Sequence, residues 1–143
     1  MRRPHCRGAA AIEAALAMAA LGALMTLAID AGQLAAGGSA VDRAASNAAR
    51  YLASVPLESL SDSSRRAVVL SVAQEMIEET LGAASVEGLQ TVEYRCGSRS
   101  CSEMDASETP AKVSVVVTIE YHEMFGEQAL RVMTVEAEAS RDN

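Results

Sequence analysis

Two hydrophobic periods divide the chain. Residues 9–29 are apolar or small throughout, with Glu13 as the only charge. That length is close to the roughly 20 residues a helix needs to cross a bilayer. Helical patterning then continues in amphipathic form. Leu34, Val41, Ala45, Ala48, Leu52 and Val55 recur at steps of seven, four, three, four and three, which predicts a helix with a narrow apolar seam. Gly37-Gly38 interrupts the seam and is the expected place for a bend, and Pro56 ends it. The two stretches read as one spine of about 45 residues, half in lipid and half in water.

A Ser/Asp-rich turn at 59–64 offers caps for a second helix over 65–81. Val69, Val72, Ala73, Met76, Ile77 and Leu81 line one face of it, Gln74, Glu75, Glu78 and Glu79 the other, and Gly82 is the natural stop. Beyond Gly82 the period falls to two. Val92, Tyr94 and Cys96 alternate with Glu93 and Arg95; Val113, Val115, Val117, Ile119 and Tyr121 alternate with polar residues that include Ser114, Thr118, Glu120 and His122. After a turn at 124–127, Met133, Val135 and Ala137 alternate with Thr134, Glu136 and Glu138. Three short-linked strands with one apolar face predict an antiparallel β-meander covered by the two helices. The expected fold class is therefore α+β, with residues 97–110 as a mobile polar surface loop.

Composition sharpens this picture. Half of the 143 residues are hydrophobic, yet only 3% are aromatic and there is no Trp. Alanine supplies much of the apolar count, so core and lipid affinity are more modest than the percentage suggests. Net charge is −7, with three of the twelve Lys/Arg at Arg2, Arg3 and Arg7. Without residues 1–8, nine Lys/Arg face nineteen Asp/Glu, a net of −10. Such an acidic body argues against nucleic acid or anionic lipid as a partner. The leading arginines favour an N-terminus held in the cytoplasm, with the domain over 31–143 on the far side.

The start of the chain fits either a secretory signal peptide or a retained anchor. The apolar run exceeds the usual 7–15 residues of a signal-peptide core, contains Glu13, and leads into further helix, all of which favour the anchor over residues 9–30. Alanines at 11, 15, 19 and 23 form a small-residue row suited to close helix approach, although an alanine-rich helix produces such rows by composition alone.

Candidate chemistry is sparse. Cys96 and Cys101 enclose a tight loop that an oxidising compartment would close as a disulfide; free thiols and a metal site are the alternatives, the latter lacking a second ligand pair. Glu75, Glu78 and Glu79 read as a solvated helical face rather than a metal site, and His122 as an exposed strand-end residue. There is no Gly-rich phosphate loop after a strand, no discernible Ser/His/Asp set, and no cysteine beside a histidine. The expectation is a non-enzymatic protein without cofactor or metal.

Glu13 is the anomaly, because a carboxylate inside a hydrocarbon-length helix costs about 3 kcal/mol on insertion scales. The segment R-G-A-A-A-I-E from Arg7 to Glu13 resembles a type IV prepilin processing site. The wider pattern resembles the TadE-like minor pilins, or pseudopilins, of tight-adherence (Flp) pilus systems: Asp30-x-Gly32, A-A-S-N-A-A-R-Y over 44–51, and V-x-V-x-V-x-I-x-Y over 113–121. Ala14 stands where the major Flp pilins carry Tyr, and the chain is too short for the TadG-like relatives with an added large domain.

The resemblance implies a basic leader over 1–8, removed by a membrane-embedded prepilin peptidase between Gly8 and Ala9. Glu13 then becomes the fifth residue of the mature chain, pairing with the new α-amino group of a neighbouring subunit during assembly. It also implies a single pass through the inner (cytoplasmic) membrane, with other pilin-like subunits and the pilus machinery as partners.

Overall fold

The computed structural model describes residues 7–104, 109–122 and 130–141. The leader residues 1–6, with Cys6, and the expected turn at 124–127 lie outside the described residues. The chain divides into two compact units, Met1–Ala35 and Ala36–Asn143. Helix α1, Arg7–Ser54, begins in the first unit and ends in the second. It stays helical through Gly37 and Gly38, where the sequence suggested an interruption. A backbone that keeps its ladder of i→i−4 bonds tolerates two glycines at a cost of about 1 kcal/mol each.

In the first unit, α1 buries none of its large apolar side chains. Ile12, Leu16, Met18, Leu21, Leu24, Met25 and Leu27 are all exposed by more than 60%. The helix over Ala10–Ser54 is long and apolar enough to cross a membrane. In water that surface would be strongly unfavourable, at about 25 cal/mol per Å² of apolar area; lipid removes the penalty.

In the second unit the same helix changes character. Val41, Ala44, Ala45, Ala48, Ala49 and Leu52 are buried, while Asp42, Arg43, Asn47 and Arg50 face solvent. A short helix α2, Leu57–Ser61, follows Pro56 and buries Leu60. Asp62 then caps helix α3, Ser63–Ala83, its Oδ1 accepting from the N–H groups of Ser64 at 2.9 Å and Arg65 at 3.3 Å. Val69, Ala73, Ile77 and Leu81 form the buried stripe of α3. The helix passes through Gly82 rather than stopping there. Ser85 takes the left-handed residue of the closing turn (φ 54°), with Val86 N–H donating to Leu81 O at 2.9 Å and Ser85 N–H to Gly82 O at 3.0 Å.

The sheet is antiparallel and open, with four strands rather than the expected three. They are β1 Leu89–Cys96, β2 Arg99–Ser100, β3 Lys112–His122 and β4 Leu130–Ser140, in spatial order β2-β1-β3-β4. The extra strand arises because Gly97 (φ 69°) reverses the chain, so that Arg99 and Ser100 pair back onto Cys96 and Arg95. The chain then crosses to the other side of β1 to form β3, so the topology departs from a simple meander. Gly88 is required where β1 begins. Its φ is +88°, any Cβ there would collide with the Glu120 carbonyl, and its own carbonyl accepts from Glu120 N–H at 2.8 Å. The adjoining register shift between Leu89 and Thr91 is the bulge this glycine permits.

The core lies between one face of the sheet and the helices. Val113, Val115, Val117 and Ile119 of β3 are buried, with Ala137 of β4 and Cys96 of β1, while Met133 and Val135 pack at the margin. Arg141 ties β4 to the end of α1: Nη1 donates to Leu52 O at 2.9 Å and Nη2 to Val55 O at 2.5 Å. These carbonyls at and just beyond the helix C-terminus have no later helical N–H to serve them, and a cation there also suits the helix dipole. Arg141→Ala should lower unfolding free energy by about 2 kcal/mol, with Arg141→Lys recovering roughly half because it lacks the two-pronged geometry. Urea unfolding of the detergent-solubilised protein, followed by circular dichroism, measures both.

Candidate functional site

Three regions are candidates for function. The first is the start of α1. Gly8 and Ala9 lie in its first helical turns. Glu13 follows about one turn later, exposed, with no ion pair among the described residues. It therefore sits on a helix surface otherwise built from Ile12, Leu16 and alanines. A carboxylate in hydrocarbon requires a counter-charge, and none is paired with Glu13 among the described residues.

The second region is the hairpin closed by the Cys96–Cys101 disulfide, whose Cα atoms are 4.8 Å apart. Both cysteines are buried. The segment that read as a mobile loop is thus largely built: β2 leads into a 3-10 turn over Cys101–Glu103, and Met104 is buried beyond it. Arg66 of α3 fastens it, Nη1 donating to Met104 O at 2.8 Å and to Leu60 O at 3.2 Å. Residues 105–108 lie outside the description. Ser100 accepts from the Ser102 N–H and so caps the 3-10 turn.

The third region is a cleft of about 710 Å³ beside β1, unannounced by the sequence. Leu70 of α3 forms one wall. Val92, Tyr94 and Arg95 of β1, with Arg99 and Ser100 of β2, form the other. Tyr94 spans the two layers, its Oη donating to Gln74 Oε1 at 3.0 Å. Burial first, and then the Glu78 carboxylate, push the Tyr94 phenol up to about 12. The alternation of Tyr94 with charged neighbours marked it as inward-facing; only packing could show that its hydroxyl meets α3.

The remaining candidates are dispersed. Glu75 and Glu79 are exposed on α3, and Glu78 accepts from Gln74 Nε2 at 2.8 Å. Among the described residues no cluster of His, Cys, Asp and Glu is placed to hold a metal. His122 ends β3. No protein-family model, curated protein or solved structure matches the chain.

Two outcomes test this region. A six-residue disulfide ring restricts the unfolded chain only modestly, so Cys96→Ser/Cys101→Ser should cost about 2 kcal/mol and leave the fold intact, read by urea unfolding with and without the bond. Tyr94 couples stability to alkaline pH. Below 10.0 the phenol is neutral in both states, whereas between 10.0 and about 12 only the unfolded chain ionises. Stability should therefore fall as pH rises through that window. Tyr94→Phe should show a shallower fall there in the same unfolding assay.

Proposed function

We propose that this protein is a membrane-anchored, non-enzymatic subunit that displays a disulfide-closed α+β domain, and that it is pilin-like, processed between Gly8 and Ala9 for assembly with related subunits. Support for the anchor comes from the exposed apolar surface of α1. The observation carrying the finer reading is Glu13, an exposed carboxylate five residues past Gly8 on that surface and without an ion-pair partner among the described residues. Cutting after Gly8 would free an α-amino group at Ala9. Paired between neighbouring subunits, that ammonium and the Glu13 carboxylate would set the stagger of helices that apolar contacts alone let slide. The leader arginines would hold the uncut N-terminus in the cytoplasm and the sheet domain on the opposite side of the inner membrane.

A second reading is an anchored binding module outside pilus biology. It is favoured by the cleft beside β1, in a domain forming a compact unit separate from the anchor. It also asks for less, needing only the anchor and the domain, with Glu13 incidental.

Intact-mass analysis of the protein from its native membrane separates the two. A chain beginning at Ala9 supports the pilin-like reading, and a retained octapeptide supports the module. Gly8→Leu should leave the uncut precursor. Glu13→Ala should insert normally, since it removes a cost of about 3 kcal/mol, yet fail to enter the assembly. Unaltered assembly of the Glu13→Ala protein would remove the pairing role.

A further inference from the structure

We propose that α1 carries a built-in hinge over residues 31–39, where the helix opens by local unfolding and lets the sheet domain turn on its anchor. The hinge requires the membrane anchor alone. Leader cleavage is not needed, so it serves a pilin-like subunit and a binding module equally.

Three glycines fall within seven residues of this stretch, at Gly32, Gly37 and Gly38. Elsewhere along α1 glycine stands singly, at Gly8 and Gly22. Glycine in a structure is explained when a neighbouring atom leaves no room for a Cβ, or when the backbone takes a left-handed angle. Neither holds here. A Cβ at Gly32 would meet nothing within 4 Å. At Gly37 it would lie 4.0 Å from Val86 Cγ2, and at Gly38 3.5 Å from Met133 Sδ and 3.6 Å from its Cε. These are ordinary contact distances, and all three residues are helical. Alanine would therefore fit at each position and gain contact with Met133 at Gly38. It would also favour the helical state about fivefold per residue. Where α1 needs small residues against the core it uses alanine, at Ala40, Ala44, Ala45, Ala48 and Ala49. What glycine supplies beyond alanine at 32, 37 and 38 is backbone freedom.

Little else in the segment compensates. Residues 31–36 and Ser39 are exposed, and Gly37 and Gly38 are half-buried. The segment holds no charged residue, so no ion pair along the helix face supports it. Its side-chain hydrogen bonds gather at the far end, where Ser39 Oγ donates to Ala36 O at 2.8 Å and Arg43 Nε to Ser39 O at 3.1 Å. With glycine and alanine as most of its cover, the backbone lies open to water that competes for its ladder bonds.

The flanks are held on both sides. Up to Ile29 the helix is apolar apart from Glu13, and in hydrocarbon no water is available to replace its backbone bonds. From Val41 onward it is fixed by the core. The division between the two compact units falls between Ala35 and Ala36, inside the glycine-rich stretch. Opening at 31–39 thus gives up ladder bonds and little packing, which places it at the low-stability end of local unfolding. An intact helix transmits its orientation along its length. Once open, nine residues of flexible chain leave the angle of the domain to whatever it binds.

The test uses the full-length protein in lipid nanodiscs, with hydrogen–deuterium exchange read by mass spectrometry. Amides of residues 35–42, whose ladder acceptors lie in 31–38, should exchange at least about tenfold faster than those of 45–52. Gly32→Ala/Gly37→Ala/Gly38→Ala should slow exchange at 35–42 about a hundredfold, as three fivefold steps, and leave 45–52 unchanged. Ala35→Gly/Ala36→Gly, at exposed positions, should speed it about 25-fold. Spin labels at Leu27→Cys and Asn47→Cys, in a Cys6→Ser background, report the bending itself. The spread of their separation should be narrowest with the three alanines and widest with the two added glycines, around the roughly 30 Å of twenty helical residues. Equal spreads in all three proteins would overturn the hinge, as would exchange at 35–42 as slow as at 45–52. Unaltered exchange with a lowered oligomeric mass in the alanine variant would also overturn it, assigning the glycines to close packing on another helix. Slow exchange over 14–28 in the same samples reports the anchor. Fast exchange there would remove anchor and hinge together, so the two failures are told apart.

Discussion

Burial of the alanine-rich face of α1 is the constraint on which the second unit depends. Ala44, Ala45, Ala48 and Ala49 are all essentially inaccessible, and with Val41 and Leu52 they cover an arc of about 140°. They share one buried cluster with valines of the sheet and with Ala73 and Ile77 of α3, all compact residues with few rotamers to lose. A core with so few aromatics is stable only when closely packed, because each residue contributes little area. Larger side chains in that arc would push sheet and helix apart along the whole interface.

One helix thus meets two solvents by changing the kind of apolar residue it presents. Before Ala35 the leucines and methionines are exposed all round, a surface that only lipid or other helices can cover. After it, the polar residues gather on one side and alanines fill the other. The arginines obey the same logic. Arg66 and Arg141 each serve two backbone carbonyls that have no helical partner, fastening the hairpin segment and the end of α1. Their value comes from satisfying buried acceptors rather than from ion pairing, which at the surface contributes little.

The sheet shows the complementary problem. Its inner face is covered by the helices, whereas among the described residues β4 has a strand partner on one side only and β1 is paired by β2 over part of its length. Among the described residues, the disulfide hairpin pairs with the last two residues of β1, and Glu136 and Glu138 stand exposed on β4.

Much of this was legible from the residues alone. A period of 3.6 placed the helices and their buried stripe at Val69, Ala73, Ile77 and Leu81, and a period of two placed the three long strands with their inward valines, because burial on one face dictates residue type at each step. The isolated charge of Glu13 and the spacing of Cys96 and Cys101 were equally visible. Tertiary structure alone decided what depends on geometry between distant residues or on a single backbone angle. The left-handed turn fell at Ser85 beyond Gly82, and a two-residue strand formed because Gly97 reversed the chain. Arg141 met carbonyls 86 and 89 positions earlier. Which edges stay open likewise depends on the order of strands in space. Local pattern reports which face of an element is buried; what lies against that face, or beside that edge, is set by the path of the whole chain.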